Sequence, residues 1–363
     1  MVQKDKQLVY ESVAIVSLTE AGRQQAECIE TLFQGADSYV TAKRKKRVSE
    51  KLLPKASFKE SLQQLFVDYD YLICIMATGI VVRSLAAVVE DKRYDPAVLV
   101  LDEKAQCVIS LLSGHIGGGN DLTRELAEAL GAIPVITTAT DTQNVTALDL
   151  IAKSSKASYE NFREKTLIFN SLLAAHGTVG FYQENPYIKD LRGLTVLDSL
   201  VEIPEKLDGL IVVSTNKEPS CFKTLTIPTV QVVPKHYLLG MGSRKDIAKE
   251  IVAQAFANFC ELYDLSPLSI SKIVSIDVKK NEKGLIALAD QLACPFETYS
   301  KDVLKEASTY YPSSDFVKKQ VGIGNVASSS AHYASNGQVL TERYSYQGVT
   351  IVLAKKDNNG GID

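Results

Sequence analysis

The sequence predicts an α/β protein with an N-terminal parallel-sheet α/β domain, a small connecting domain and a C-terminal α/β domain. Three observations carry this. Apolar runs of strand length alternate with stretches of helical period, the pattern of parallel sheets with crossover helices. A glycine-rich turn, Ser113-Gly114-His115-Ile116-Gly117-Gly118-Gly119-Asn120, stands between one such run and a helix pattern. The chain has 363 residues, more than one typical core holds. The boundaries are read as 1–141, 142–235 and 236–356, with 357–363 a disordered tail.

Taken in order, Ser12 to Leu18 predicts a first strand, and Thr19-Glu20-Ala21-Gly22 opens a helix to about Phe33. Phe58, Leu62, Leu65 and Phe66 fall at helical spacing. Tyr71 to Met76 is a continuous apolar run, suited to a strand covered on both faces. It ends at Ala77-Thr78-Gly79, with a helix expected over 80–89. Ala97 to Leu101 and Gln106 to Leu112 read as strands, Asp121 to Leu130 as a helix, and Ile133 to Ile136 as a closing strand before Thr137-Thr138-Ala139-Thr140-Asp141. Polar residues gathered after strands fit the rule that ligands bind outside the carboxyl ends of parallel strands. The connecting region predicts a helix over 159–175 and short strands near 178–182, 194–197 and 209–214, punctuated by prolines. The third region starts with a strand at His236, then a helix face of Ile247, Ile251, Val252, Ala255, Phe256 and Phe259. A strand over 272–278, helices over 284–292 and 326–334 and a late strand over 349–353 complete it.

Composition narrows the function classes. Hydrophobic residues make up 45% and charged residues 23%, with net charge -3, which argues against general nucleic-acid binding. No apolar run reaches the roughly 20 residues of a membrane helix, and Met1 to Lys6 is too polar for a signal peptide. The six cysteines form no Cys-x-x-Cys pair and read as reduced, so a cytoplasmic protein without structural zinc or disulfides is expected. Phosphate-loop, His-Glu-x-x-His and Gly-x-Ser-x-Gly motifs are absent. Gly322-x-Gly324-x-x-Ala327 follows a helical stretch and lacks the context of a dinucleotide site. One basic cluster, Lys43-Arg44-Lys45-Lys46-Arg47, is either a solvated loop or an electrostatic collar for a polycarboxylate.

The candidate site residues concentrate at turns. His115, one of four histidines, lies where glycine amides and a helix N-terminus favour an anion. It is an ionisable group at a turn built for binding, while simple packing is the plain alternative. Ser113, Gly114, Gly117, Gly118, Gly119 and Asn120 are candidate binding residues around it. Thr78, Gly79 and Arg83 could meet one anionic group. Asp141 either orients a histidine or water or caps a helix, and Thr138 stands beside it. Gly240-Met241-Gly242-Ser243-Arg244 reads as a second glycine turn leading to a helix, contacting an anion or packing tightly. Lys280 and Glu282 lead the next helix. His176 fits a helix C-cap, and neither His236 nor His332 has a second histidine at metal spacing, so no protein-bound metal is expected.

These motifs resemble the cobalt-precorrin-5A hydrolases, the CbiG family of anaerobic cobalamin biosynthesis. The resemblance rests on Ile73 to Arg83, Asp95 to Val98 and the block Val108 to Asp141, including Ser-Gly-His-Ile-Gly-Gly and Thr-Thr-Ala-Thr-Asp. It extends through Gly240-Met241-Gly242-x-Arg244, Lys279-Lys280-x-Glu282-x-Gly284-Leu285, Val321-Gly322 and Val349-Thr350. The resemblance implies opening of a δ-lactone on a cobalt corrinoid with release of acetaldehyde, water as co-substrate and no cofactor beyond the cobalt that the substrate carries. It implies His115, Asp141 and Glu282 as catalytic candidates, with His115 the general base that activates water, and Arg83, Arg244, Lys280 and the basic cluster as partners for substrate carboxylates. His115 is also similar, through Ser113-x-His115-x-x-Gly118, to the Asp-x-His-x-x-Gly histidine that ligates cobalt in some corrinoid proteins, with Ser for Asp. Ser243, Asp246, Ser328 and Arg343 stand where the family usually has Cys, Gly, Glu and Lys. These departures move the expected chemistry toward the N-terminal domain and leave a non-catalytic corrinoid carrier or scaffold, handing intermediates to other pathway enzymes, as the alternative.

Overall fold

A computed structural model describes residues 7–356; the expected tail at 357–363 and the stretch Met1–Lys6 lie outside the described residues. The chain forms two compact units, dividing between Leu150 and Ile151.

The first unit contains β1 (Val13–Ser17), α1 (Glu20–Glu30), β2 (Asp37–Val40), β3 (Lys51–Leu52), α2 (Phe58–Asp68), β4 (Tyr71–Ile75), α3 (Thr78–Leu85), β5 (Ala97–Leu101), β6 (Cys107–Leu112), α4 (Gly119–Leu130), β7 (Ile133–Val135), α5 (Ala139–Thr142) and the start of α6 (Leu148–Ser154). Thr19 caps α1 by accepting from the Gly22 amide, and Ser57 caps α2 from Glu60. The apolar strands are buried on both faces. Val13, Ile15, Ile73, Ile75, Leu99 and Leu101 pack with α1 and α4, while Ala14, Val16, Leu72, Cys74, Val98 and Val100 pack with α2 and α3.

The sheet order is β3-β2-β1-β4-β5-β6-β7. The first five of these strands run parallel, but β6 runs antiparallel to β5, and β7 follows β6. The expected parallel sheet is present over five strands, and β6 adds to it in the opposite direction. Only Asp102 to Gln106 join β5 to β6, with Asp102 accepting from the Lys104, Gln106 and Cys107 amides. A connection this short makes a hairpin and cannot cross over to a parallel neighbour. In consequence Leu112, at the end of β6, pairs with Val98 at the start of β5. The glycine loop therefore sits at the amino edge of the parallel strands, opposite the turn that follows β4. The unit also extends past the expected boundary at 141, because Val145, Ala147, Leu148 and Asp149 are buried.

The second unit holds two sheets. β8 (Ala157–Ser158), α7 (Phe162–Ala174), β9 (Val179–Gln183), β10 (Leu194–Val196), β11 (Gly209–Val213) and β12 (Thr229–Pro234) build the order β10-β9-β11-β12-β8. His176 has φ 56° just past α7, as its C-cap reading expects. The last sheet is built from β13 (Tyr237–Ser243), α8 (Lys249–Leu262), β14 (Ile270–Ile276), α9 (Lys283–Gln291), β15 (Phe296–Tyr299), α10 (Lys301–Ala307), α11 (Asp315–Val321), α12 (Ala327–Ala334), β16 (Tyr344–Tyr346) and β17 (Val349–Lys355), in the order β15-β14-β13-β17-β16.

Gly240-Met241-Gly242-Ser243 is strand, not turn. It pairs residue for residue with β17, from Gly240↔Val352 to Ser243↔Val349, and no helix begins before Lys249. The glycines are there for packing: a Cβ on Gly240 would lie 2.0 Å from the Ala327 carbonyl oxygen, and one on Gly242 2.6 Å from Thr350 Oγ1. Among the described residues no helix is long and apolar enough to cross a membrane.

Candidate active site

The glycine loop folds onto itself. Ser113 enters it at φ 53° and Gly118 leaves it at φ 80°, a left-handed value that suits glycine. The Gly118 amide donates to His115 O, Gly119 to Ser113 O and Asn120 to Gly114 O. Two of the three glycine amides expected as anion donors are thus used internally, whereas Gly117 N–H has no partner among the described residues. A Cβ at Gly114 would come 2.4 Å from Asn120 Oδ1, and one at Gly117 2.6 Å from Ser113 O, so both positions require glycine for close approach.

Asn120 is 3% exposed and acts as the loop's scaffold. Its Oδ1 accepts from Ser110 Oγ at 2.7 Å, while Nδ2 donates to Thr138 Oγ1 at 3.1 Å and Asp141 Oδ2 at 2.7 Å. The imidazole of His115 lies between two carboxylates. Nε2 is 2.9 Å from Asp141 Oδ2 and 3.2 Å from Thr140 Oγ1, and Nδ1 is 3.6 Å from Asp149 Oδ2. Arg124 pairs with Asp141, and Lys92 Nζ lies 3.0 Å from Asp149 Oδ2. Burial alone would lower the His115 pKa, but the bonds and charges of Asp141 and Asp149 outweigh it and raise it to about 9. Burial would raise the Asp141 carboxyl, yet His115 and Arg124 hold it below the usual range. A neutral imidazole has one N–H and could serve only one of these carboxylates, so the arrangement favours the imidazolium form of His115. The expectation of a free general base changes accordingly: the ring is charged, and both nitrogens face carboxylates.

With Asp121, which Arg124 also meets at 3.1 Å, three cations (His115, Lys92, Arg124) face three carboxylates (Asp121, Asp141, Asp149) in this cluster. Beside it, at the same amino edge, opens a cleft of about 590 Å³. Ile116 and Gly117 form one wall, Phe66 and Tyr69 a second, and Arg93, Tyr94 and Pro96 a third.

Of the predicted residues, the fold thus gathers Ser113, Gly114, His115, Gly117, Gly118, Gly119, Asn120, Thr138 and Asp141. It does not bring Thr78, Gly79 and Arg83 to them. These follow β4 at the carboxyl edge, about 15 Å away at the usual rise of a five-residue strand. There Arg83 is exposed, its guanidinium lying over Gly79.

The basic cluster is not an open collar either. Arg47 pairs with Glu27, Glu30 and Glu50, and Lys46 with Glu20. Glu27 and Glu30 lie on α1, whose acidic face the sequence reading did not match with this loop.

Gly242, Ser243, Arg244, Lys280 and Glu282 belong to the second unit. The Ser243 hydroxyl is buried without a partner among the described residues. The Arg244 amide donates to Gly348 O, and Lys280 is exposed. Glu282 is buried and accepts from the Ile247 amide at 3.1 Å and Lys279 Nζ at 3.0 Å, as a structural carboxylate does.

Sequence reading missed Asp149, Thr140, Arg124 and Lys92. Asp149 had a signal, since it is the lone charge in Ala147-Leu148-Asp149-Leu150-Ile151-Ala152, and such a residue needs a buried partner.

The first unit is thus an α/β domain with helices on both faces of its sheet and a histidine loop at the amino edge of its parallel strands. Residues 60–141 match the family described as cobalamin synthesis G N-terminal, and 237–354 that described as cobalamin synthesis G C-terminus. A cobalt-precorrin-5A hydrolase of Salmonella typhimurium is 39% identical over 350 residues, covering 94% of this chain and 97% of that protein. Another of the same name from Priestia megaterium is 32% identical over 340 residues, 90% of each chain. The crystal structure of a cobalamin biosynthesis protein G homolog from Sulfolobus solfataricus aligns with TM-score 0.38 at 21% identity, covering 95% of this chain and 97% of that one. The chain belongs to the cobalamin synthesis G (CbiG) family.

Proposed function

We propose that this chain is a cobalt-precorrin-5A hydrolase of cobalamin biosynthesis, with its chemistry at the amino-edge cleft of the first unit. The observation that carries the reading is similarity over nearly the full length of both chains to two proteins of that name. The histidine loop and Asp141 fall inside the matched N-terminal segment.

In this reading water adds to the carbonyl of the substrate's δ-lactone and the acyl C–O bond breaks. The freed alkoxide collapses to acetaldehyde, and the C–C bond gives its electron pair to the conjugated macrocycle. The hydroxyl of water ends in the new carboxyl group and its other hydrogen on the ring carbon. No resident cofactor is needed for this balance, because the cobalt belongs to the substrate. The protein's task is to hold the lactone and stabilise the oxyanion that develops on its carbonyl. The Gly117 N–H at the cleft wall, without a partner among the described residues, and the His115 ring beside it are suited to it. His115, being charged, would serve as an electrostatic group, with Asp141 orienting it.

The test is incubation of purified protein with cobalt-precorrin-5A, reading acetaldehyde as its dinitrophenylhydrazone by chromatography. Release without added nucleotide or metal is expected. Tight corrinoid binding with no acetaldehyde would replace the enzyme with a carrier.

A further inference from the structure

We propose that Asp149 is a positioning residue for His115: it holds the ring from the Nδ1 side, opposite Asp141, and Lys92 sets how strongly it does so. The inference rests on the reading that the amino edge is the reacting site.

The juxtaposition is purely tertiary. Asp149 lies on α6, Lys92 in the connection between α3 and β5, and His115 in the loop after β6. Asp149 is 1% exposed, and one of its oxygens, Oδ2, faces both Lys92 Nζ at 3.0 Å and His115 Nδ1 at 3.6 Å. A buried carboxylate is costly unless paired, and Lys92, with its side chain half exposed, is one cation that pairs with it. The other groups around the ring are Asp141 and Thr140 on α5, with Arg124 and Asn120 on α4 reaching it through Asp141. With a carboxylate at each nitrogen, the imidazolium cannot rotate without losing a charged contact. Its plane is thereby fixed, and with it the backbone of Ile116 and Gly117 that forms the cleft wall.

The two partners of Asp149 make opposite predictions. Removing its charge takes away one of two anions that favour the protonated ring. Removing Lys92 takes away a cation that competes with His115 for Asp149 Oδ2.

The experiment uses the full chain labelled with ¹⁵N-histidine, in which only four imidazoles report. Ring signals are followed against pH in the wild type, Asp149→Asn and Lys92→Met, beside the pH dependence of acetaldehyde release. In Asp149→Asn the His115 midpoint should fall by about 1–3 pH units, the usual effect of losing an opposite charge at this range. In Lys92→Met it should rise, and in Asp149→Glu it should return toward the wild type. The alkaline limb of kcat should move with the midpoint while KM stays nearly constant. An unchanged midpoint in Asp149→Asn overturns the proposal. If that variant does not fold, the surface variant Lys92→Met decides, and a fall or no change there overturns it as well. Midpoints that move while the rate profile does not would uphold the clamp on His115 and remove the reacting site from this edge.

Discussion

Substituting Gly240 by Ala separates two readings of the same glycine-rich segment. As an anion-contacting turn, an added methyl would weaken ligand binding and leave stability nearly unchanged. As the packing surface under α12, it must push the helix away. The new Cβ would lie 2.0 Å from the Ala327 carbonyl oxygen, 2.7 Å from Ala331 Cβ and 2.9 Å from Ala331 N. Ordinary carbon–oxygen approach is about 3.3–3.6 Å, so the helix backbone has to retreat by more than about 1 Å. Two of the three clashing atoms are backbone and cannot rotate aside. Ala327, Ser329, Ser330 and Ala331 are buried, so the retreat opens gaps elsewhere. Overpacking costs about 1–3 kcal/mol, and rigid backbone contacts place this case at about 3 kcal/mol or above. For a domain of about 200 residues that is a fall in Tm of roughly 6–12 °C. Differential scanning calorimetry at neutral pH measures it. A shift under about 2 °C, with weakened corrinoid binding, would refute the packing argument and restore the turn.

Four further outcomes are expected. The His115 pKa of about 9 stands above the usual 6.5, so its charge stabilises the fold fully below pH 6.5 and the contribution vanishes as pH rises through 9. The difference between the wild type and His115→Gln, read by thermal melts from pH 6 to 10, should shrink by about 3 kcal/mol across that window, and a flat difference would refute it. Gly117→Ala, whose methyl would meet Ser113 O at 2.6 Å, should lower kcat by about 10²-fold through loop displacement, whereas Arg83→Ala at the opposite edge should change kcat/KM less than about 2-fold; steady-state kinetics on both variants check this. Glu50→Ala removes a buried partner of Arg23 and Arg47 and should cost about 3–5 kcal/mol in denaturant unfolding, without changing corrinoid affinity. Burial would raise the Glu50 carboxyl, but the Arg47 and Lys46 amides and Arg23 bring it down to about 2, so its contribution should be lost as pH falls from 4.5 toward 2 in acid melts.

Much of the first unit was legible because its signals are local. Continuous apolar runs such as Tyr71 to Ile75 can only be strands covered on both faces, and the structure has them so. Thr19 and Ser57 mark helix starts through hydrogen bonds within three residues of themselves. Short edge strands such as Lys51–Leu52 and Ala157–Ser158 carry no periodicity and went unread, since pairing with a neighbour alone makes them strands. The pair His115 and Asp141 was visible as two polar signals near strand ends, and the fold brought them to 2.9 Å.

The sequence by itself determined the α/β class and the glycine loop between strand and helix. It did so because strand, helix and turn preferences depend on neighbours a few residues apart. Only tertiary structure decided the direction of β6, and with it which edge of the sheet carries His115. Periodicity is the same for a strand read in either direction, so the pattern could not separate His115 from Arg83. The state of the imidazole was likewise set by Asp141 and Asp149, which the fold brings to its two nitrogens. Coulombic energy depends on distance in space, and spacing along the chain does not contain it.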